Sequence, residues 1–278
     1  MILDGKKESA LLREEIKKEI LEIKTSTNNS PGLSVILIGN FAPSQIYVRN
    51  KEKNSKEVGI NSEVFKYPKE VKESEILEKI QELNNNKNVS GILVQLPLPV
   101  HIGKEKIINT IKPSKDVDGF HPINVGNLSL GYKAIVPCTP LGCMLLIKKA
   151  EKNLTGKHAV IIGRSNLNGK PMAQLLLKED CTVSIVHSKT KNLKSECQKA
   201  DILVVAVGVA HLVKGDWVKK DSIIIDVGVN KVADKIVGDV DFEQVKDKVK
   251  AITPVPGGVG PMTIACLLKN TLECFKDR

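Results

Sequence analysis

Two short stretches of the sequence contain residue types that could do chemistry. Tyr47 and Lys51 are four residues apart in a predicted helix with Ser44 at its N-cap, so a phenol and an amine share one helical face. Gln95 closes the apolar run that begins at Gly91, which predicts a buried strand opening into a rigid Pro-Leu-Pro loop. Open α/β sheets place ligand chemistry at such strand ends. Pairs like Tyr47 and Lys51 are also common on ordinary helix surfaces, so other motifs must decide.

Strands and helices alternate along the whole chain. This alternation predicts βαβ units, parallel sheets and an α/β fold. The length of 278 residues suggests two domains. Helices are predicted over 6–24, 74–84, about 104–111 and from Thr139 to about 153, and strands over 33–38, 61–67, 91–95, 182–186, 201–208, 222–228 and 251–255, with a further strand ending at Gly163.

Composition excludes several classes of protein. The net charge of +10 is spread along the chain, and aromatics make up only 3%, which argues against a nucleic-acid binder. We find no signal peptide and no apolar run that could span a membrane. The six cysteines lack ligand-like spacing, so we expect reduced thiols, no structural zinc and a cytoplasmic protein.

Two aspartates lie in a loop bounded by proline and glycine. Asp116 and Asp118 could be ordinary turn residues, or one could hold the amidine-like edge of a ligand by two parallel hydrogen bonds. A metal site is less favoured, because no third ligand lies at a suitable spacing. Further on, Thr139 and Pro140 predict the N-cap and first residue of the next helix.

A glycine-rich turn follows the strand that ends at Gly163. The next helix begins at Gly169, so the turn could present a helix N-terminus to a dinucleotide phosphate, although it is not Gly-x-Gly-x-x-Gly. The next strand ends in His187 and Ser188, where an NAD site would carry an acidic residue. A basic and hydroxyl cluster with Arg164 suits the 2′-phosphate of NADP, although polar loops are also common after strands.

The motifs together resemble one family over essentially the whole chain. They are Tyr47-x-x-x-Lys51, Val94-Gln-Leu-Pro-Leu-Pro99, Lys115-Asp-Val-Asp-Gly-Phe120, Pro137-Cys-Thr-Pro140, Gly163-Arg-Ser165, Gly169-Lys-Pro171 and Thr253-Pro-Val-Pro-Gly-Gly-Val-Gly-Pro-Met-Thr263. This set closely resembles the bifunctional methylenetetrahydrofolate dehydrogenase/methenyltetrahydrofolate cyclohydrolases. One departure is Asn168, which stands where the family usually has Val.

The resemblance implies a fold and an activity. It implies a folate-binding domain over 1–137, completed by a C-terminal helix over 262–278, and a Rossmann-type NADP domain over 138–261, with the site in the cleft between them. The implied activity is oxidation of methylenetetrahydrofolate to methenyltetrahydrofolate, followed by hydrolysis to 10-formyltetrahydrofolate. Family members are homodimers through the cofactor domain, and the basic surface would suit polyglutamylated folates.

The resemblance also implies roles for single residues. Lys51 would be the catalytic lysine, Gln95 would orient it, and Tyr47 would line the folate pocket beside it. Asp118 would grip the pterin edge, with the remaining folate contacts from Pro256, Gly257, Gly258 and Thr263. The cofactor would be bound by Gly163, Arg164, Ser165, Gly169, His187, Ser188 and Val229.

Three alternatives remain open on the sequence. A two-domain NADP enzyme of the shikimate dehydrogenase type would bind no folate. A basic nucleic-acid binder would need a clustered basic face. A third alternative is a family member that keeps only the dehydrogenase step or prefers NAD. The presence of both Lys51 and Gln95 favours bifunctionality.

Overall fold

A computed structural model describes residues 1–277, and these fold into two compact units. We name them by their sheets. The three-stranded unit contains Ala10–Cys138 and residues 264–277, and the five-stranded unit contains Met1–Ser9 and Thr139–Thr263. The chain passes between the units within α1 (Gly5–Thr27), at the start of a helix over Cys138–Ala150, and within a C-terminal helix over Val259–Lys276.

The three-stranded unit is a parallel sheet with helices between its strands. Its strands are β1 (Gly32–Ile38), β2 (Asn61–Tyr67) and β3 (Gly91–Val94), in the order β2-β1-β3. Every residue of β1 and β3 is buried, as expected for strands covered on both faces. The helices are α2 (Ala42–Glu57), α3 (Glu73–Asn85), α4 (Lys104–Thr110) and α5 (Pro122–Ser129).

Aliphatic side chains fill the core of this unit. One cluster joins the sheet to the inner faces of α3 and α4 through Ile36, Ile76, Ile80, Ile92 and Ile107. The spacing of Ile76, Ile80 and Leu83 gives α3 one apolar stripe, which is why a helix rather than a strand forms here. A short 3₁₀ turn, Pro113–Lys115, follows α4 and leads into the two aspartates.

Helix α6 (Cys138–Ala150) leads into the five-stranded unit, which is built on a second parallel sheet. Its strands run in the order β10-β7-β6-β4-β5. The remaining elements along the chain are β4 (His158–Ile162), α7 (Gly169–Lys178), β5 (Thr182–Val186), α8 (Leu193–Cys197), β6 (Ile202–Val205), β7 (Ile223–Asp226), the antiparallel hairpin of β8 (Asn230–Val232) and β9 (Lys235–Val237), α9 (Phe242–Val245), β10 (Ala251–Ile252) and α10 (Val259–Lys276). From residue 264 onward, α10 belongs to the three-stranded unit.

The strand order of this sheet reverses between β4 and β6. In doubly wound sheets the ligand crevice lies at such a switch point, outside the carboxyl ends of the strands. The predicted fold class, α/β with parallel sheets and a Rossmann-type second domain, is confirmed.

Several expected boundaries were wrong. Ser44 lies inside α2 rather than at its N-cap, which is Phe41, because Pro43 already occupies the first turn. Thr139 lies inside α6, which ends at Ala150 instead of near 153. The strand expected over 251–255 ends at Ile252, where the proline-rich loop begins.

The compact units also differ from the expected domain bounds at the amino terminus. Met1–Ser9 lie in the five-stranded unit, because Ile2 pairs with Ile252 beyond the edge strand β10. The Leu3 N–H also donates to the Ile252 carbonyl over 2.8 Å. Within residues 1–277, every helix is too short or too polar to span a lipid bilayer.

Candidate active site

Helix α2 buries Lys51, while Tyr47, one turn earlier on the same side of the helix, is more open. Lys51 is 9% exposed, and it shares the buried face with Ser44, Val48 and Ser55. Tyr47, one turn earlier, is 42% exposed. The Lys51 side chain is therefore held against the sheet, whereas the Tyr47 phenol faces outward beside it.

The Lys51 amine is bonded to the end of strand β3. Lys51 Nζ donates to Gln95 Oε1 over 3.0 Å. Gln95 Nε2 donates to the Leu96 carbonyl over 2.7 Å, which turns Oε1 toward the lysine. Ser44 Oγ donates to the same Leu96 carbonyl over 3.5 Å, so the first turn of α2 also contacts this loop. The structure thus brings together Lys51 and Gln95, two residues that the family resemblance relates to each other.

The two aspartates of the following loop have different surroundings. Asp116 is buried and accepts hydrogen bonds from the His121 N–H, at 2.8 Å, and from Asn124 Nδ2, at 3.0 Å. Asp118 is partly exposed, and Cys138 Sγ lies 4.0 Å from its Oδ1. Asp116 therefore organises the loop, and Asp118 is the carboxyl group available to a ligand.

Burial and nearby charges determine the ionisation of Asp118. Burial raises the pKa of its carboxyl group to about 6, the positive charge of Lys51 opposes this rise, and the negative charge of Asp116 adds to it. The Lys51 amine is therefore close enough to influence the charge of this carboxyl group. A small apolar cavity of about 20 Å³ adjoins the loop, with Asp118, Val94, Leu96 and Phe120 in its walls.

Sequence reasoning missed the residues that hold this loop in place. Asn270 Nδ2, on α10, donates to the carbonyls of Val117 and Val136 over 2.9 and 2.8 Å. Lys115 Nζ donates to the carbonyls of Leu83 and Asn86 at the end of α3. The role of Asn270 could have been suspected from the sequence, because it is a polar residue within the apolar part of a predicted helix. Buried amides normally have hydrogen-bond partners.

The predicted phosphate turn lies in the five-stranded unit, at the carboxyl end of β4. A Cβ on Gly169 would lie 2.0 Å from the Gly163 carbonyl oxygen, so only glycine fits there. Gly163 has φ +123°, a conformation that favours glycine. Arg164 and Ser165, between the two glycines, are exposed. This close, open turn at the start of α7 fits the phosphates of a dinucleotide.

The other predicted cofactor residues also follow strand ends of this sheet. His187 and Ser188 follow β5, and the Lys189 N–H donates to His187 Nδ1 over 3.2 Å, which orients the ring. The Gly163 N–H donates to the Val186 carbonyl, so the turns after β4 and β5 are neighbours. Val229, after β7, is 59% exposed.

The proline- and glycine-rich loop lies in the same unit. Gly257 has φ +107°, and its carbonyl accepts a hydrogen bond from the Lys6 N–H over 3.1 Å. Gly258 packs so closely that a Cβ on it would lie 2.6 Å from the Pro254 carbonyl oxygen. Thr263 Oγ1 lies 3.0 Å from Thr139 Oγ1. Residues 1–277 contain no group of His, Cys, Asp or Glu that could hold a metal ion.

Family models match nearly the whole chain. Residues 3–118 match the model described as tetrahydrofolate dehydrogenase/cyclohydrolase, catalytic domain. Residues 137–278 match the NAD(P)-binding domain of the same family.

Curated relatives and solved structures agree with the family models. The bifunctional protein FolD of Pelagibacter ubique (strain HTCC1062) is 67% identical over 276 residues, covering 99% of this chain and 98% of that protein. The crystal structure of the Campylobacter jejuni FolD dehydrogenase/cyclohydrolase is 51% identical with a TM-score of 0.98, covering 100% of this chain and 99% of that one.

A third relative was solved with a cofactor. The Trypanosoma brucei methylenetetrahydrofolate dehydrogenase-cyclohydrolase, complexed with NADP and inhibitor, is 38% identical with a TM-score of 0.96, covering 100% of this chain and 97% of that one. The expected resemblance is confirmed, and it excludes the shikimate-type alternative. The chain belongs to the tetrahydrofolate dehydrogenase/cyclohydrolase family.

Proposed function

We propose that the chain oxidises 5,10-methylenetetrahydrofolate to 5,10-methenyltetrahydrofolate with NADP and then hydrolyses this product to 10-formyltetrahydrofolate. The observation that carries this proposal is the hydrogen bond between Lys51 Nζ and Gln95 Oε1. Family membership supplies the reaction, and this geometry supplies the groups that it needs.

Lys51 serves the hydrolytic step. The methenyl product is a delocalised cation, so an adjacent amine must be neutral to avoid opposing the positive charge. A neutral amine can take a proton from the attacking water and then give it to the departing ring nitrogen. The Gln95 amide oxygen accepts a hydrogen bond from this amine and so orients it toward the site.

Asp118 and Tyr47 hold the folate. The Asp118 carboxylate can accept two parallel hydrogen bonds from the amino-pyrimidinone edge of the pterin, a charge-assisted arrangement. The half-exposed Tyr47 phenol offers a ring beside the reacting carbon. We assign Pro256, Gly257, Gly258 and Thr263 to the folate as well, because their close-packed loop is rigid and its glycines leave main chain open to a ligand.

The cofactor is assigned to the five-stranded unit. Bound NADP supplies the acceptor for the hydride. Gly163 and Gly169 leave room for its phosphates, and Arg164, Ser165, His187 and Ser188 provide donors and positive charge at the carboxyl ends of β4 and β5. Arg164, His187 and Ser188 make the site selective for the 2′-phosphate, and Val229 packs against the cofactor.

The assembly is also part of the proposal. We propose a cytoplasmic homodimer formed through the cofactor domain, as the family resemblance implies. We propose that the folate domain consists of residues 1–137 with 262–278, and the cofactor domain of residues 138–261. Within this division, Met1–Ser9 pack on the cofactor domain, where Ile2 pairs with Ile252. Light scattering of the purified chain tests the dimer.

One assay tests the activity. The chain is mixed with methylenetetrahydrofolate and with either NADP or NAD, and the absorbance of methenyltetrahydrofolate is followed. We expect NADP-dependent formation followed by decay. Formation without decay would contradict bifunctionality, and no formation with either cofactor would contradict the proposal as a whole.

A further inference from the structure

Two buried aspartates in the five-stranded unit have no part in the chemistry described above. Asp226 ends β7, and Asp239 follows the β8–β9 hairpin. They are 3% and 0% exposed. Taking a carboxylate out of water is costly unless other groups satisfy it. Each of these carboxyl groups is satisfied by N–H groups of the surrounding loops.

Asp239 bonds two different strand exits. Its Oδ2 accepts hydrogen bonds from the Val207 and Gly208 N–H groups over 2.8 and 2.9 Å, and these residues follow β6. Its Oδ1 accepts from Asn230 Nδ2 over 2.8 Å, and Asn230 follows β7. One side chain therefore fixes the main chain after β6 relative to the segment after β7.

Asp226 holds Asp239 in turn. Its Oδ1 accepts from the Gly228 and Asp239 N–H groups, both over 3.0 Å, and its Oδ2 accepts from the Val240 N–H over 2.9 Å. Burial raises the pKa of Asp226 to about 7, the Val240 and Asp239 N–H groups oppose this rise, and the Asp239 charge adds to it.

Two glycines allow the main chain to approach the carboxyl groups. A Cβ on Gly228 would lie 2.1 Å from the Asp239 carboxyl group, and one on Gly238 would lie 1.8 Å from Asp226 Oδ2. Any larger residue would collide with a carboxylate. The arrangement is thus closely packed as well as fully hydrogen bonded, and we call Asp226 and Asp239 with these partners the aspartate brace.

The brace lies beside the switch point of the sheet. Gly163, in the phosphate turn after β4, faces the segment after β6, since a Cβ on it would lie 2.6 Å from the Ala206 carbonyl oxygen. The segment that begins at Ala206 therefore lies against the phosphate turn at the switch point. His187 and Ser188 mark the 2′-phosphate side at β5, so the exits of β6 and β7 lie toward the nicotinamide end.

We propose that Asp239, braced by Asp226, is a positioning residue for the nicotinamide half of the cofactor: it fixes the main chain at 207–208 and 228–230, against which that half packs. This inference rests on the proposed function, because it presumes NADP at the carboxyl ends of these strands. It gives the brace a role in ligand geometry beyond its contribution to stability.

Two ligands separate the halves of the cofactor. NADP contains both, whereas adenosine 2′,5′-bisphosphate contains only the half assigned to Arg164, His187 and Ser188. Binding of each is measured by calorimetry on the full chain without folate. For Asp239→Ala we expect NADP affinity to fall tenfold or more, with adenosine 2′,5′-bisphosphate affinity unchanged.

A matched control and a rescue exclude a merely structural role. Asp241→Ala removes a carboxylate two residues away, which caps α9, and it should leave both affinities unchanged. In Asp239→Asn, the amide oxygen can still accept from the Val207 and Gly208 N–H groups, but the amide nitrogen then faces Asn230 Nδ2, so two donors oppose each other. We therefore expect a severalfold loss of NADP affinity. The double change Asp239→Asn with Asn230→Asp restores one donor and one acceptor, so it should recover most of that loss.

The outcomes are distinct. Unchanged NADP affinity in Asp239→Ala, or an equal loss for both ligands, overturns the positioning role and leaves the proposed function intact. A wild-type chain that binds neither ligand overturns the proposed function, and this inference falls with it. If Asp239→Ala does not fold, Asp239→Asn and its rescue decide, and failure of the double change to recover NADP binding overturns the proposal.

Discussion

Lys51 Nζ and Gln95 Oε1 are joined by a hydrogen bond of 3.0 Å across 44 residues of sequence. Helix α2 supplies the amine, and the end of strand β3 supplies the amide. The second hydrogen bond of the amide, from Nε2 to the Leu96 carbonyl, leaves only the oxygen facing the lysine. The orientation of the amine therefore depends on Gln95, and several consequences can be measured.

Gln95 should act through Lys51. Gln95→Ala removes the acceptor and leaves the amine without orientation, so we expect a large loss of cyclohydrolase activity. In the double variant with Lys51→Met, the loss should be no greater than for Lys51→Met alone, because residues in one network are not additive. Gln81→Ala, an exposed glutamine on α3, serves as the control and should leave activity unchanged. Additive losses would mean that the two side chains act independently.

Asp118→Ala should weaken folate binding and leave NADP binding unchanged. The change removes a charge-assisted pair, and hydrogen bonds to charged groups contribute about 1.5–3 kcal/mol each. Calorimetry with a folate ligand and with NADP measures both. Asp116→Ala is the instructive comparison, because Asp116 bonds the His121 N–H and Asn124 inside the loop. Asp116→Ala should lower the free energy of unfolding. Unchanged folate affinity in Asp118→Ala would mean that Asp118 is only a turn residue.

Folate affinity should fall as the pH drops through about 6. Burial raises the pKa of Asp118 to about 6, so below this pH the carboxyl group takes up a proton and loses its charge-assisted bonds. For the stability of the free protein, we expect this group to have the opposite pH dependence. Because the folded pKa lies above the ordinary value of 3.8, the contribution of Asp118 to stability grows as the pH falls from about 6 toward about 4.

Calorimetric titrations between about pH 5 and 8 check this dependence on wild type and Asp118→Asn. The amide does not titrate, so the variant should bind folate weakly, with little change near pH 6. An equal pH dependence in the two proteins would assign the titration to another group.

The cofactor preference should depend on Ser188 and Arg164. Ser188→Asp places an acidic group where the 2′-phosphate is assigned and offers an acceptor to ribose hydroxyls. We expect the ratio of kcat/KM for NADP over NAD to fall at least tenfold, and Arg164→Ala should lower it in the same direction. Lys191→Ala, an exposed lysine beyond the same turn, is the control. An unchanged ratio in both Ser188→Asp and Arg164→Ala would contradict the prediction that these residues determine the preference for NADP.

Local patterns predicted the elements that face the candidate site. The spacing of Tyr47 and Lys51 within one helix and the apolar run before Gln95 involve only neighbouring residues, so periodicity sufficed. The turn from Gly163 to Gly169 was visible for the same reason, because its glycines lie at the junction of a strand and a helix. The family motifs then related these segments to one another.

Contacts between distant segments could not be predicted in this way. Asn270 bonds the carbonyls of Val117 and Val136, which are more than 130 residues away, and no local pattern encodes such partners. The hairpin of β8 and β9 was missed because its turn has Ala233 at φ +51°. Glycine usually occupies such a position, and without it the sequence contains no turn signal between the two strands. The hydrogen bonds of Asp226 with the main chain at Asp239 and Val240 also could not be predicted, because they form only in the tertiary fold.

The most direct test of the account is the hydrolysis of added methenyltetrahydrofolate by Lys51→Met. Methionine keeps an unbranched apolar side chain but removes the amine, and positioned proton transfer typically contributes about 10²–10⁴-fold. Lys53→Met, at an exposed position on the same helix, is the matched control and should retain full activity. We predict that hydrolysis by Lys51→Met falls to the uncatalysed background while NADP binding persists. Near-normal hydrolysis by Lys51→Met would show that the lysine has no part in the chemistry and would contradict the mechanism.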